Sequence, residues 1–158
     1  MPQSSPPYPI RIVDFPETPV AVMTHRGDPA LIAETVGRFI AWRKANHLPP
    51  SQHATFNILY GGPDQVPPAE FRQDLCVATG GKAVAFGSGV AAGIIAGGRC
   101  AVLRHVGPDD GLEAALTYLY GDWLSQSGEE LRDSLPFLQR FPELAGHDSP
   151  VDIFLPLR

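Results

Sequence analysis

The sequence predicts one α+β domain in which a strand–strand–helix–strand–strand unit (ββαββ) occurs twice. Similar segments recur about 80 residues apart, and they fall on matching elements in the same order. The 158 residues suit a single domain, and 44% of them are hydrophobic, which is an ordinary share for a packed core. We expect the two units to join their sheets, with the two main helices on one face and a central groove between them. Residues 1–9 are rich in proline and serine and are expected to be a disordered tail, followed by one domain at 10–158.

The first unit, at about 10–80, begins with two short strands and a helix that has a clear start signal. Asp28 can accept hydrogen bonds from the free N–H groups of the first turn, and Pro29 suits the first helical position. Apolar residues follow at helical spacing, and Pro49-Pro50 requires the helix to end before them. The predicted elements are strands at 11–15 and 20–25, this helix, and strands at 55–60 and 74–78.

The second unit, at about 88–158, repeats this order. Its first two strands are expected to form a hairpin around Ala96-Gly97-Gly98. Gly107-Pro108-Asp109-Asp110 is expected to open the helix, and Gly128 is expected to end it in a left-handed conformation. The predicted elements are strands at 90–95 and 99–105, a helix that ends at 127–128, and strands at 137–141 and 151–155.

The repeat is visible in the residues themselves. One chance match would mean little, but several ordered matches on equivalent elements indicate a duplicated unit. The matches are Ala21-Val22-Met23 with Ala101-Val102-Leu103, His25 and Gly27 with His105 and Gly107, Trp42 with Trp123, Phe56 and Tyr60 with Phe137 and Phe141, and Asp74-Leu75-Cys76-Val77 with Asp152-Ile153-Phe154-Leu155.

Composition argues against several functional classes. The formal net charge is −5 with no cluster of basic residues, so we expect neither direct nucleic-acid binding nor binding to an anionic membrane. The N-terminus lacks the form of a signal peptide, which predicts a cytoplasmic location. Cys76 and Cys100 lie in apolar runs and are expected to be buried free thiols. His25 and His105 are interpreted as packing at their own turns, and we expect neither a metal nor a cofactor.

The sequence resembles the GyrI-like small-molecule-binding domains, which occur as effector-binding lobes of AraC-type and MerR-type transcription regulators and as stand-alone relatives of the gyrase-inhibitory protein. The matching pieces are residues 21–27, the Gly61-Gly62-Pro63-Asp64 loop, residues 100–107, Tyr120-Gly121-Asp122-Trp123-Leu124, Ser127-Gly128 and residues 152–157. The resemblance implies a duplicated unit, an antiparallel sheet and a ligand groove between two helices. It also implies that aromatic side chains and a buried carboxylate bind amphipathic, often cationic compounds there, and some members resemble hydrolases of strained cyclopropanes.

One position departs from the family pattern. The family carboxylate is a Glu in a Pro-x-Phe-Glu-x-Tyr segment, and the matching segment here is Pro136-Phe137-Leu138-Gln139-Arg140-Phe141. Gln139 therefore takes the Glu position and Phe141 the Tyr position. Glutamine keeps hydrogen-bonding capacity but carries no charge and cannot act as a general base. The hypothesis is a pocket that prefers neutral or hydrogen-bonding apolar ligands, without catalytic residues.

Six residues are candidates for ligand contact. Strand alternation puts Gln139 and Phe141 on one face together with Phe137, and Tyr60 on one face with Phe56 and Ile58. Because large apolar residues are usually buried, Phe56, Ile58 and Phe137 are assigned to the core. The candidates are Tyr60, Phe71 as a lid, Trp123, Gln139, Phe141 and Phe154.

Three functions remain open at this level. The first is a binding or sensing protein for a small amphipathic or aromatic molecule, without its own DNA-binding part and with a possible protein partner. The second is a hydrolase of the cyclopropane-hydrolysing type, which needs another acid, with Glu70, Glu130 and Glu143 as substitutes. The third is a protein-interaction module of the gyrase-inhibitor type. An open groove favours the first function, an acid within reach of Gln139 the second, and a closed groove the third.

Overall fold

A computed structural model describes residues 9–60, 67–107, 111–142 and 150–158. The residues of the predicted tail at 1–8, the predicted loop at 61–66, the predicted helix start at 108–110 and Glu143 lie outside these ranges. The strands are β1 (Ile10–Phe15), β2 (Thr18–Arg26), β3 (Thr55–Leu59), β4 (Arg72–Ala78), β5 (Val90–Ile95), β6 (Gly98–Val106), β7 (Phe137–Arg140) and β8 (Pro150–Pro156). The helices are α1 (Ile32–Ala45), α2 (Leu112–Tyr118) and α3 (Leu124–Ser127), and a π-helical turn at Leu119–Trp123 joins α2 to α3.

The predicted α+β class is confirmed. All eight strands form one antiparallel sheet in the order β1-β6-β8-β7-β3-β4-β2-β5. The order is symmetric about its centre. If each strand is exchanged with its counterpart in the other predicted unit (β1 with β5, β2 with β6, β3 with β7 and β4 with β8), the same order results, read from the opposite edge. The centre of the sheet is therefore the β3–β7 pair, where Phe56 lies opposite Gln139 and Ile58 opposite Phe137.

Two local start and stop signals are confirmed. The Asp28 carboxylate accepts a hydrogen bond from the Ala30 N–H at 2.9 Å, in a short turn of 3-10 helix that leads into α1. Gly128 follows α3 with a φ of 75°, the left-handed conformation that glycine adopts without strain. Within the described ranges, no helix is both long and apolar enough to cross a lipid bilayer.

The predicted hairpin between β5 and β6 is wrong. β5 pairs with β2 at one edge of the sheet, whereas β6 pairs with β1 and β8 near the other edge. The short link from Ile95 to Gly98 can span only about 11 Å, so the sheet must curl until its two edges approach each other. The link between β1 and β2 crosses at the same place: a Cβ on Gly97 would lie 2.9 Å from the Phe15 carbonyl oxygen. Only glycine lets the two links come this close.

The sheet separates three hydrophobic clusters. On the helix side, α1 covers a cluster that includes Met23, Phe39 and Leu75. The second helix, which consists of α2, the π-helical turn and α3, covers another cluster on that side. This cluster includes Leu103, Leu119 and Leu138. On the opposite side, the curled sheet encloses a third cluster. Its buried members are Val20, Phe56, Cys76, Ile95, Cys100, Val102, Phe137 and Phe154.

The third cluster is built around four phenylalanine rings. Phe137 stacks on Phe154 with the ring centroids 4.7 Å apart. Phe15 contacts both rings edge-on, at 4.9 Å from Phe137 and 5.3 Å from Phe154. Phe56 lies 6.0 Å from Phe137 and 5.9 Å from Phe15. The assignment of Phe56 and Phe137 to the core is confirmed.

Both cysteines are buried free thiols, as expected. Burial raises the pKa of the Cys76 thiol, and the nearby Asp74 carboxylate adds to the shift. Burial also raises the pKa of Cys100, against an opposing effect of Arg132. Because the thiolate is the reactive form, both side chains are inert members of the core in the folded protein.

Candidate functional site

The candidate site is a cavity of about 950 Å³ between α1 and the helix-side face of the sheet. One wall is α1, and the floor is formed by β3, β4 and the end of β7. The Leu48-Pro49-Pro50 segment, which follows α1, closes one end. The volume lies in the range that holds drug-sized ligands.

The α1 wall is an apolar stripe. Ile32, Val36 and Ile40 are four residues apart, so they lie on one side of the helix and all line the cavity. Val36 remains 37% exposed and Ile40 46% exposed, although neighbouring Phe39 is buried. Apolar side chains that line a concave space without filling it leave apolar area for a ligand to cover.

Polar groups at the floor hold the shape of the site. The buried Arg43 guanidinium donates to the carbonyl oxygens of Leu48 and His53 at 3.0 and 3.2 Å, and to the Thr55 hydroxyl at 2.8 Å. These bonds tie the segment after α1 to the start of β3. On the neighbouring strand β7, Arg140 donates to the side-chain oxygen of Asn57. The floor therefore combines fixed hydrogen-bonding groups with apolar walls.

The charged residues of the lining share one sign. They are Arg43, Lys44, Lys82 and Arg140, and none of the lining residues that the structure describes is an aspartate or a glutamate. Lys82 donates to the His47 carbonyl oxygen at 2.6 Å, which holds its ammonium group at the rim. Positive side chains around a concave apolar surface create a positive local potential, although the formal net charge of the chain is −5.

Four of the six predicted contact residues lie on the opposite side of the sheet from this cavity. Leu138 packs in the cluster beneath the second helix, so alternation along β7 turns Gln139 away from the helices. Phe154 belongs to the aromatic core on that opposite side. Phe141 lies 5.7 Å from the Arg104 guanidinium, and Arg104 itself pairs with Asp152 beside Gln139.

Tyr60 also belongs to that opposite side. Its hydroxyl donates to Asp74 at 2.7 Å, and the Thr24 hydroxyl donates to the other oxygen of the same carboxylate at 2.6 Å. The Arg72 guanidinium lies 4.0 Å from the centre of the Tyr60 ring. Burial raises the pKa of the Tyr60 phenol, and the hydrogen bond to the Asp74 carboxylate raises it further.

The other two predicted residues lie elsewhere on the helix side. Phe71 is 5% exposed, and its ring lies 6.1 Å from that of His25. Trp123 is half-buried against the cluster under the second helix. None of the six lines the cavity next to α1. Contact of these residues with a ligand stays a prediction.

The two histidines form the packing contacts that were expected. In His25, Nε2 lies 3.0 Å from the Asp28 carbonyl oxygen and Nδ1 lies 2.7 Å from the Thr35 hydroxyl. A carbonyl can only accept, so Nε2 donates to Asp28, and the Thr35 hydroxyl bonds the other nitrogen of the ring. His105 is buried against Gly111. Across the described ranges, no three His, Cys, Asp or Glu side chains are grouped as metal ligands would be.

Sequence reasoning did not identify the actual lining. The stripe of Ile32, Val36 and Ile40 is visible as helical spacing, but spacing alone does not show whether a helix face is filled. Arg140 is adjacent to Gln139, and a shift of one residue moves the prediction to the other face of the strand. Arg140 could have been identified from Leu138. The two residues are two apart on β7 and therefore share a face, and Leu138 is buried against the second helix.

The fold and the cavity define a class of protein: a single-sheet α+β domain with an open cavity beside its first helix. The sequence profile of the GyrI-like small molecule binding domain matches residues 8–158, and the chain belongs to this family. The chain is 35% identical over 153 residues to the "Probable transcriptional regulator YgiV" of Escherichia coli (strain K12), with 94% of this chain and 95% of that protein covered.

Solved structures share the fold. The crystal structure of the EcmrR C-terminal domain aligns with a TM-score of 0.74 at 17% identity, covering 96% of this chain and 98% of that one. SAV2435, solved with tetraphenylphosphonium bound, aligns with a TM-score of 0.59 at 9% identity, covering 95% and 94%. At such identities these likenesses establish the fold and leave the ligand of this chain open.

Proposed function

We propose that this chain is a stand-alone effector-binding protein that holds a small amphipathic molecule in the cavity beside α1. The observation that carries the proposal is the open apolar space of about 950 Å³ against the exposed Val36 and Ile40. Membership of a small-molecule-binding family and similarity to a regulator-like protein support it. Any effect on transcription would pass through a partner chain, in a cytoplasmic setting.

The available binding energy is consistent with this role. Full burial of one Val or Ile side chain contributes about 1.5–3 kcal/mol. Val36 and Ile40 are 37% and 46% exposed, so covering both would contribute on the order of 1–2 kcal/mol. The remaining lining and its hydrogen-bonding groups must supply the rest, since micromolar affinity requires about 8 kcal/mol.

The test is a thermal-shift screen of a metabolite and drug library, repeated on a variant with a filled cavity. Ile40→Trp adds an indole into the cavity and is expected to abolish stabilisation by the hits. Ile12→Trp is the matched control, since Ile12 is 43% exposed on the edge strand β1 and Ile40 is 46% exposed. A ligand at about 100 times its dissociation constant raises stability by about 2.7 kcal/mol. Hits that stabilise Ile40→Trp as well as the parent protein would contradict a site beside α1.

The hydrolase alternative requires an acid at the site. Asp152 lies opposite Gln139 in the β7–β8 register, but its carboxylate accepts two hydrogen bonds from Arg104, at 2.8 and 3.1 Å, and lies 3.6 Å from Arg11. Both oxygens of this carboxylate are therefore already engaged by the protein. Glu70 and Glu130 are exposed and outside the lining, whereas Glu143 is outside the described residues. Turnover of a cyclopropane substrate that is lost in Glu143→Gln would favour the hydrolase.

The interaction-module alternative predicts a groove without room for a ligand. The cavity volume argues for the binder instead. The decisive observation is a library screen with no hit of any chemistry, combined with capture of a defined protein partner. That result would replace the binding proposal with the interaction module.

A further inference from the structure

We infer that the cavity beside α1 selects amphipathic anions, such as carboxylates with an extended apolar body, over cations of the same size. This inference rests on the proposed function, because it assigns a ligand class to the same site. It depends on the combination of apolar walls and basic side chains in one lining.

The apolar part of the ligand follows from the walls. Ile32, Val36 and Ile40 form a continuous aliphatic strip, and Leu48 and Pro49 close its end. Neither Val36 nor Ile40 is covered by protein atoms to the degree that a core side chain is. An aliphatic chain or a small ring system lying along α1 would cover this strip and gain the hydrophobic contribution of both.

The charge of the head group follows from the rim and the floor. Lys44 is one helical turn beyond Ile40 on α1, so its ammonium group belongs to the same side as the strip. Lys82 reaches the same end of α1 through its bond to the carbonyl oxygen of His47, which follows Lys44 in the chain. At the floor, the half-buried guanidinium of Arg140 is engaged by Asn57. A ligand carboxylate placed at the C-terminal end of the strip therefore meets these cations.

The same lining disfavours a cation. Within the described residues of the lining, acidic side chains are absent, so a bound cation would meet positive charge in a space that is partly shielded from water. Two acids are buried among the residues that the structure describes, Asp74 and Asp152. They lie on the other side of the sheet, where Thr24 and Tyr60 engage Asp74 and Arg104 engages Asp152. They cannot supply the missing negative charge to this cavity.

The experiment compares three ten-carbon probes by isothermal titration calorimetry below their aggregation concentrations: decanoate, decan-1-ol and decyltrimethylammonium. We expect decanoate to bind at least about tenfold more tightly than either other probe, since several cations and no acid are among the described lining residues. Raising the salt concentration should weaken decanoate binding and leave decan-1-ol binding unchanged. Equal affinities for decanoate and the cation, or tighter binding of the cation, would overturn the inference.

Charge-reversal variants locate the effect. Lys44→Glu is expected to reduce decanoate affinity about five- to tenfold and to raise affinity for the cation. Arg38→Glu is the matched control, because it changes the net charge equally on the same helix, and Arg38 is exposed and outside the lining. Equal losses in the two variants would show a general charge effect and would contradict selection by the cavity.

These outcomes separate the inference from the proposed function. If neutral or cationic hits stabilise the protein and lose their effect in Ile40→Trp, the effector site stands and anion selection fails. If no probe or library compound of any charge binds in a manner sensitive to Ile40→Trp, both fail.

Discussion

Replacing Phe137 by alanine is expected to destabilise the protein far more than replacing Ile40, an exposed residue of the cavity beside α1, by alanine. Phe137 is 2% exposed and contacts three other rings, those of Phe15, Phe56 and Phe154. Core Phe-to-Ala substitutions cost about 3–5 kcal/mol, because they remove transfer energy and leave a cavity. Ring pairs contribute about 0.5–1.5 kcal/mol each beyond burial. We expect a loss of about 4 kcal/mol in the free energy of unfolding.

The matched comparison is Ile40→Ala. Ile40 is 46% exposed, so its truncation removes little buried area and is expected to cost about 1 kcal/mol or less. The assay is urea denaturation followed by circular dichroism, with the free energy of unfolding obtained by linear extrapolation. The difference between the two variants separates a residue of the core from a residue that leaves its surface for a ligand.

A milder variant keeps the prediction testable if Phe137→Ala does not fold. Phe137→Leu retains most of the apolar area and loses the ring contacts, so we expect a cost of about 1–2 kcal/mol. A double-mutant cycle with Phe15→Leu should show a coupling of about 1 kcal/mol. Phe137→Ala and Ile40→Ala with equal costs, both below about 1 kcal/mol, would refute the assignment of the ring cluster to the core.

Two further predictions concern a tight contact and a titrating group. Gly111→Ala would place its Cβ 2.6 Å from His105 Cε1, so we expect it to lower the free energy of unfolding by about 1–3 kcal/mol. A Cβ on Gly121 would meet nothing within 4 Å, so Gly121→Ala should be neutral or stabilising. Thermal denaturation measures both effects. Because the pKa of Tyr60 is raised, the fold favours the protonated phenol: its stabilising contribution is present below about pH 10 and is lost as the pH rises through the raised pKa.

Each of these two predictions has its own control. Equal melting temperatures for Gly111→Ala and Gly121→Ala would contradict the contact with His105. The Tyr60 titration is measured as the difference in absorbance at 295 nm between the parent protein and Tyr60→Phe. Asp74→Asn should lower the pKa of Tyr60, because it removes the carboxylate that accepts a hydrogen bond from the Tyr60 hydroxyl. A titration of Tyr60 at the ordinary tyrosine pKa would refute the burial and the hydrogen bond together.

Local sequence signals predict most of the helices and strands of this fold, but they do not predict which strands pair. Asp28 and Gly128 act within one or two turns of the chain, so their capping roles could be read from neighbouring residues. The predicted β5–β6 hairpin is wrong because β5 pairs with β2, a strand of the other predicted unit. The pairing of β5 depends on the whole sheet. Gly97 allows the two links to cross closely, but a glycine at this position does not by itself predict the crossing.

The candidate site was missed for a related reason. β7 has only four residues, Phe137–Arg140, and its first two are both buried, one on each face of the sheet. Alternation of apolar and polar residues therefore gives no indication of which face Gln139 occupies. The cavity itself depends on how closely α1 approaches β3, which follows from tertiary packing and has no signature within the helix. The helical spacing of Ile32, Val36 and Ile40 could be predicted from the sequence, but the cavity that they line could not.

The two buried acids show how equivalent positions in the two units are satisfied by different chemistry. Asp74 accepts from the Thr24 and Tyr60 hydroxyls, and in the other unit Arg104 and Phe141 stand at those positions beside Asp152. The two hydroxyl donors are lost together, and the two hydrogen bonds from Arg104 replace them. A buried carboxylate is tolerated only when such partners satisfy it. An acid that is already satisfied by the protein has little attraction left for a cationic ligand. For the inferred anion-selective cavity, the charge that decides ligand choice is the basic lining beside α1.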